Sequence, residues 1–449
     1  DNVTATNGVF RDIDCGAVLE YCVDCTLEGL TLANNTIGAV LGSSSQCQVT
    51  GVTFLDNTEG LILEGCTGCN LTGNEFEDCA VSIRGGPGFV WRHEFTDNTV
   101  NGKELGYFLN LNHTTIDGSS YGQVIIAECR NLTIENAELH SAGVLAAYAD
   151  NITISDCIIV DSIDGVNVHE CNNFTLKNSI ISNSTGYGVY FNILNGCILV
   201  NNIISWSSLF GIHFRNARDC LIINNTVSRN GDYGGICIGT GDYMSFLNNT
   251  ITDNEGVGIS LGVYAYNISV YYNLIGWNGV HNADDYGVDN QWDDNVSCGN
   301  WWGDYTGTGT YPIQGTAGSV DKYPQKADIL KPTIDHPPDM FIDVRPSGSL
   351  LVWKPLDSHP SSFEVSERSL YVVAGGDWNG SAIVITLDDL NLGVGTYVYT
   401  LTVIDTCGNS INDTVTVTVL DFIQTTVIGV TIVLVLITVV LFFKRRPKS

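Results

Sequence analysis

GVNVHEC (165–171), GVYFNIL (188–194), GIHFRNA (211–217), GICIGTG (235–241) and GISLGVY (258–264) repeat one pattern, a glycine followed by apolar residues at alternate places. Counting from Gly143 in GVLAAYA, these glycines are spaced 22, 23, 23, 24 and 23 residues apart. Alternation of period two marks a strand with one buried face. Earlier copies are GAVLEYC from Gly16, GAVLGSS from Gly38, GLILEGC from Gly60, AVSIRGG from Ala80 and GQVIIAEC from Gly122. A second signal is interleaved with the first: NNTIG (34–38), NSIIS (178–182), NNIIS (201–205), NNTVS (224–228) and NNTIT (248–252).

A unit of 20–24 residues built from short strands and Asn/Gly turns cannot bury its own apolar side, so the units must stack into a solenoid. The period fits one coil of a parallel β-helix, and the leucine framework of leucine-rich repeats is absent. The solenoid is expected over residues 1–330, with an irregular insertion at about 85–121 (GGPGFVWRHEF, NGKELGYFLNL) and an end cap at about 284–325. Trp292, Trp301 and Trp302 are expected to cover the open end of the last coil.

The chain has 449 residues, with 19 Lys plus Arg against 49 Asp plus Glu, a formal charge of −30. Such an acidic surface repels phosphate backbones, so no nucleic-acid partner is expected. Charged residues are only 15% and hydrophobic residues 44%, a balance that excludes disorder as the main state. Residues 422–443 carry no charge and are long enough to cross a bilayer as a helix. The basic tail at 444–449 then stays in the cytoplasm, and residues 1–421 lie outside as a single-pass cell-surface ectodomain. Asn-x-Ser/Thr sequons at Asn2, Asn34, Asn70, Asn112, Asn131, Asn151, Asn173, Asn183, Asn224, Asn248, Asn267, Asn295, Asn379 and Asn412 agree with a glycosylated exterior. Several of them fall where the repeat itself wants Asn and Thr.

VNGKELGYFLN (100–110), TIDGSSYGQVIIAECRNLTIEN (115–136), NQWDDNVSCGNWWGDYTGTGTYPI (290–313) and GSVDKYP (318–324) resemble the NosD type of β-helix protein. The resemblance covers about residues 90–325. It implies a right-handed parallel β-helix related to pectate-lyase-like folds, of a kind abundant on archaeal surfaces. It also implies a role in metal delivery, the family's founding role being to help copper enter nitrous-oxide reductase. Family members often carry an Asp/Gly-rich run after the closing motif, whereas TGTGTYPI stands here, which weakens a calcium site inferred by resemblance.

Residues 331–421 change character. Prolines accumulate, and SAIVITL (381–387), GTYVYTLTVID (395–405) and DTVTVTVLD (413–421) read as antiparallel strands of an Ig-like or fibronectin-like β-sandwich stalk, with Trp353 and Tyr397 as core anchors. Only Cys407 lies in this segment.

Aligned coils place Cys22, Cys66, Cys129 and Cys171 at one position, and Cys25, Cys47 and Cys69 at another. Three readings stand open: buried free thiols packing as small hydrophobes, disulfides between adjacent coils, and a zinc site from CVDC (22–25) and CTGC (66–69). The acidic run HNADDYGVDNQWDDN (281–295) offers Asp284, Asp285, Asp289, Asp293 and Asp294 to calcium. Against calcium stands a plain solvated end cap; no other cofactor is expected.

The residues two and four after each glycine should point outward. Along the rod they are Ile125/Ala127, Leu145/Ala147, Asn167/His169, Tyr190/Asn192, His213/Arg215, Cys237/Gly239 and Ser260/Gly262. Asn167, His169, Tyr190, Asn192, His213 and Arg215 thus form one patch on three coils, a candidate surface for polysaccharide with Tyr190 and Trp206 stacking on sugar rings. The alternative is a strand made polar by solvation alone. Outward residues being outside the core, their replacement is expected to leave stability nearly unaltered.

The function expected is a membrane-anchored binding or structural role towards polysaccharide or other cell-surface material. A polysaccharide-degrading enzyme is the rival, a lyase before a hydrolase, because no outward position from Gly143 to Gly262 carries Asp or Glu. Asp161 and Asp164 stand at the patch edge. Copper delivery is a third reading, set against only two methionines, Met244 and Met340.

Overall fold

The repeated glycines mark where successive coils touch. In the computed structural model a Cβ on Gly165 would lie 2.6 Å from the Gly188 carbonyl oxygen, and one on Gly188 would lie 2.6 Å from that of Gly211. No side chain fits that column. The structure describes residues 3–327, 331–345, 348–357, 360–368, 371–405 and 409–421. They fall into two units, Asp1–Ala327 and Asp328–Ser449.

The first unit is a parallel β-solenoid. Val124, Val144, Val166, Val189, Ile212, Ile236 and Ile259 are partners in successive strands, and each is fully buried. The asparagine doublets have a division of labour. In NNIIS, NNTVS and NNTIT the first Asn is a corner in the left-handed region (Asn201 φ 57°, Asn224 φ 56°, Asn248 φ 54°), a conformation Asn tolerates. The second points inward and joins a ladder. Asn202 Nδ2 donates to Asn225 Oδ1 (2.9 Å), Asn225 to Asn249 (3.1 Å), Asn249 to Asn273 (2.9 Å) and Asn273 to Asn300 (3.0 Å). Each amide also donates to a backbone carbonyl of the coil before it, so these buried polar groups are satisfied.

The insertion reverses the chain. Asn101 (φ 50°) and Gly102 (φ 72°) form a two-residue turn joining the antiparallel strands Thr99–Val100 and Lys103–Leu109, the geometry that Asn-Gly favours. Parallel stacking then resumes through Tyr121–Ala127 and Val144–Ala147. The interior changes face at this joint. Before it, the core contains Leu32, Phe54, Phe76 and Val100; after it, Val124, Ile126, Val144 and Val166. Ile125, Ala127 and Ala147, the outward residues of the later coils, belong to the earlier core. Reversing both strand direction and buried face along one continuous sheet preserves the hand of the coil.

In the second unit, Met340–Asp343, Ser410–Leu420, Gly395–Asp405, Pro360–Glu367 and Tyr371–Asp377 form one sheet in that order, and Leu350–Trp353 pairs with Ile383–Thr386 in another. Both sheets contribute to one apolar cluster around Trp353, Leu401 and Val415. Trp353 is fully buried, but Tyr399 takes the deep position expected of Tyr397, because the strand's odd-numbered residues from Tyr399 to Val403 face inward and Tyr397 lies near its end. Among the described residues no helix is long and apolar enough to cross a membrane. The span expected at 422–443, the tail at 444–449, Asn2 and Cys407 lie outside the described residues.

Candidate functional site

Asn167, Tyr190 and His213 are direct partners in three successive strands, so the outward column expected from the repeat is present. Its neighbours differ from the expectation. Ile125 and Ala127 are fully buried, and Ala147 likewise, because the end of the earlier coils (Val81, Ile83, Val90, Trp91) lies over them. Gln123 pairs with the exposed edge of Val81–Arg84 like a strand: its Nε2 donates to the Val81 carbonyl (2.6 Å) and its Oε1 accepts from the Val81 N–H (3.0 Å). The patch therefore begins at a wall rather than on an open rod.

At that wall His169 is held on both ring nitrogens. Asn192 Nδ2 lies 2.8 Å from Nδ1, and the Tyr148 hydroxyl 3.2 Å from Nε2. Glu170 lies 3.5 Å from Nε2, and the Trp91 ring stacks at 6.5 Å. Burial lowers the His169 pKa and Arg215 adds to this, while Glu170 opposes it. Burial also pushes Tyr148 up to about 12, with Glu170 next in effect. His169 and its neighbours are thus half-buried and cross-linked, not freely solvated.

Farther from the wall the surface is aromatic. Tyr187 and Tyr190 stack at 5.0 Å; Tyr187, Tyr190 and Phe210 all pack on the His213 ring at 5.2–5.5 Å, and Tyr233 packs on Phe210 at 5.4 Å. The sequence reading missed Tyr187, Phe210 and Tyr233. The aromatic residue immediately before the glycine in YGVY and FGIH was the available signal. Trp206 is not in this cluster; it occupies a left-handed corner beneath the Arg229 guanidinium, 5.3 Å from its ring centre. His213 Nδ1 is buried with no hydrogen-bond partner among the described residues, and burial, then Arg215, lowers the ring's pKa.

Arg215 does not follow Asn192 in register. Phe191 pairs with Phe214 but Asn192 pairs with Asn216, so Arg215 is the extra residue of a β-bulge. Bulges re-aim side chains. Asp164, expected at the edge, is a half-buried acceptor for Asn167 Nδ2 (2.8 Å) and the Tyr187 N–H (2.9 Å), and partial burial raises its pKa.

The acidic run is not a solvated cap. Asp285 is fully buried and accepts from Trp292 Nε1 (3.0 Å), Asn290 Nδ2 (2.9 Å), Ser319 Oγ (2.7 Å) and the Gly287 N–H (2.9 Å). Asp284 faces His281 (2.9 Å), and Asp293 accepts from the Asn295 and Lys322 N–H groups. Asp294 accepts from the Val296, Ser297 and Cys298 N–H groups, which hold its pKa at about 2. Asp289 is a left-handed turn residue. The carboxylates satisfy the loops that close the solenoid, where Trp292 and Trp302 are buried and Trp302 stacks on Tyr311 at 3.9 Å.

Cys25, Cys47 and Cys69 precede directly paired residues in neighbouring coils, whereas Ser44 separates Cys22 from Cys66. Adjacent coils thus bring Cys25, Cys47 and Cys69 next to one another but not Cys22 and Cys66, and no disulfide joins any of the described cysteines. A hydrogen bond from Cys69 lowers the Cys66 thiol to about 7 and raises that of Cys69. Among the described residues no group of three His, Cys, Asp or Glu is placed to hold a metal ion.

The first unit is thus a parallel β-solenoid with an aromatic, amide-lined strip on one face. The sequence matches the family model of the periplasmic copper-binding protein NosD over residues 1–117 and 109–307, and the chain belongs to that family. No curated protein matches it. Among solved structures it is similar to the periplasmic alginate epimerase AlgG (11% identity, 62% of this chain and 67% of that one, TM-score 0.34). It is similar also to the A-module of the Azotobacter vinelandii mannuronan C-5 epimerase AlgE4 (16%, 73% and 91%, 0.28) and to the enzymatically active domain of bacteriophage CBA120 tailspike protein 2 (10%, 91% and 72%, 0.30).

Proposed function

We propose that this protein binds polysaccharide along the strip formed by Asn167, Tyr190, Asn192 and His213 with Tyr187 and Phe210. The observation that carries the reading is the aromatic group itself. Tyr187, Tyr190, Phe210 and His213 are only partly buried, yet they pack on one another beside two side-chain amides on adjacent coils. Sugars present apolar ring faces edged with hydroxyls, which aromatic faces and Asn amides match. A strand made polar only for solubility has no reason to gather four rings.

The protein acts at the cell surface in this reading, with the second unit as an Ig-like or fibronectin-like stalk and 422–443 as its anchor. The glycosylation proposal is supported by Asn34, Asn151, Asn173, Asn183, Asn224, Asn248, Asn267 and Asn295, all exposed at left-handed corners. A second reading, a lyase, is favoured by one observation: the imidazole of His169 is held between the Tyr148 hydroxyl and Asn192, and burial lowers its pKa. Incubating the purified full chain with a panel of uronic-acid and neutral polysaccharides separates the two. Retention without cleavage is expected. Cleavage replaces the binding reading with the lyase, and absence of both retention and cleavage ends the proposal.

A further inference from the structure

The chain as a whole carries a formal charge of −30, so an anionic ligand approaches against the field of the whole molecule. At physiological salt, exposed charges are screened beyond about 8 Å, and local groups decide what is held. The cations around the strip are mostly engaged. Arg84 is paired with Glu59, Arg92 with Glu128 (2.7 Å), and Arg218 donates to Asn195 Oδ1 (2.9 Å) beside Asp219 (3.7 Å). Arg215 is different. It is exposed, and among the described residues its side chain makes no hydrogen bond and no ion pair. Its charge is felt by both His169 and His213.

The carboxylates near the strip are turned elsewhere. Glu170 accepts from the Tyr148 hydroxyl on the far side of His169 (3.4 Å), and the half-buried Asp164 is taken up by Asn167 Nδ2 and the Tyr187 N–H. The bulge thus lifts one unpaired guanidinium out of the ladder beside an aromatic floor. A guanidinium has five donors and no acceptor, and its fork matches carboxylate geometry.

We infer that the strip takes an acidic polysaccharide, with Arg215 gripping the anionic substituent of a sugar ring seated over Tyr190 and His213. This rests on the polysaccharide reading and adds the ligand's charge to it. The substituent is a uronate carboxylate or a sulfate ester, which share the same fork chemistry.

The test uses the purified full chain with three probes: oligogalacturonate, a sulfated chondroitin oligosaccharide and a neutral galactan oligosaccharide, each titrated at low and high salt. The parent is expected to bind at least one acidic probe more tightly than the neutral one, with affinity falling as salt rises. Arg215→Gln should lose about ten-fold or more in affinity for that acidic probe, flatten its salt dependence and leave neutral binding unaltered. Arg215→Lys should recover part of the loss. Arg218→Gln, an exposed charge on the same strand, should behave as the parent. Which acidic probe responds distinguishes carboxylate from sulfate.

The inference is overturned if Arg215→Gln binds the acidic probe as tightly as the parent does, if Arg218→Gln loses as much, or if the parent prefers the neutral chain. Neutral binding alone leaves the polysaccharide reading standing without this one. Failure of all three probes removes both.

Discussion

Two stretches of one sheet obey the same repeat and meet opposite fates. Ile125 and Leu145 precede Asn167, Tyr190 and His213 in a single outward column, each the register partner of the next. Over the first two, earlier coils add a second layer, and the strand Tyr121–Ala127 is buried on both faces. Over the next three no such layer lies among the described residues, and the side chains turn polar and aromatic. The outward side chain records what lies outside the coil. A strand covered on both sides reads as an unbroken apolar run, VIIA at 124–127, where an open one alternates.

The sharpest way to break this comparison is to place one charge in each stretch. Ile125→Asp should cost about 4 kcal/mol or more, since it buries a carboxylate between two cores, and Tyr190→Asp far less. Denaturant unfolding followed by tryptophan fluorescence reads both; equal costs would mean that the covering layer is absent in solution.

The covering coils also hold a histidine that, unlike the half-buried His169 and His213, is almost fully buried. His93 is 4% exposed; its Nδ1 accepts from the Cys69 N–H (3.2 Å) and its Nε2 faces the Val90 carbonyl (2.9 Å), so both bonds require the neutral ring. Burial drops its pKa to about 4, against the weaker pull of the Val90 carbonyl. A folded pKa below the unfolded value of about 6.5 means that the unfolded chain takes up the proton first, so stability falls as pH drops from about 6.5 towards 4, by roughly 3 kcal/mol. His93→Asn should flatten that part of the profile. Identical pH dependence in parent and variant would show that His93 is not buried neutral.

Smaller effects follow in the ladder and the strip. Asn225→Ala leaves the Leu199 carbonyl and the Asn202 N–H without their partner and should cost about 2 kcal/mol, visible as a lower unfolding midpoint. Tyr190, His213 and Arg215 changed together to Ser should cost no more than about 1 kcal/mol while abolishing retention on polysaccharide. His169 is left out of that set because Asn192 and Tyr148 tie it to the wall, contrary to the expectation of a free outward residue. A triple variant that unfolds would make the strip structural, and one that still binds would move the site elsewhere.

The repeat, its period and the inward register were legible in the sequence because each is local or strictly periodic: Gly165, Gly188 and Gly211 recur where coils touch, and Asn202, Asn225 and Asn249 where amides stack. The column of Asn167, Tyr190 and His213 followed from counting by twos. Three features did not follow. The layer over Ile125 depends on the chain reversing at Asn101–Gly102 and changing its buried face, a long-range event that no repeat announces. Arg215 stands free because a one-residue bulge breaks the register beside Asn192, and a bulge leaves the spacing of the glycines unaltered. The carboxylates at 284–294 looked solvated because composition makes acids exposed, yet Asp285 and Asp293 are buried where loop N–H groups had no strand to pair with. Periodic sequence determines what a coil does for its neighbours. Only the tertiary structure decides what lies across from it, since those contacts join residues that share no period.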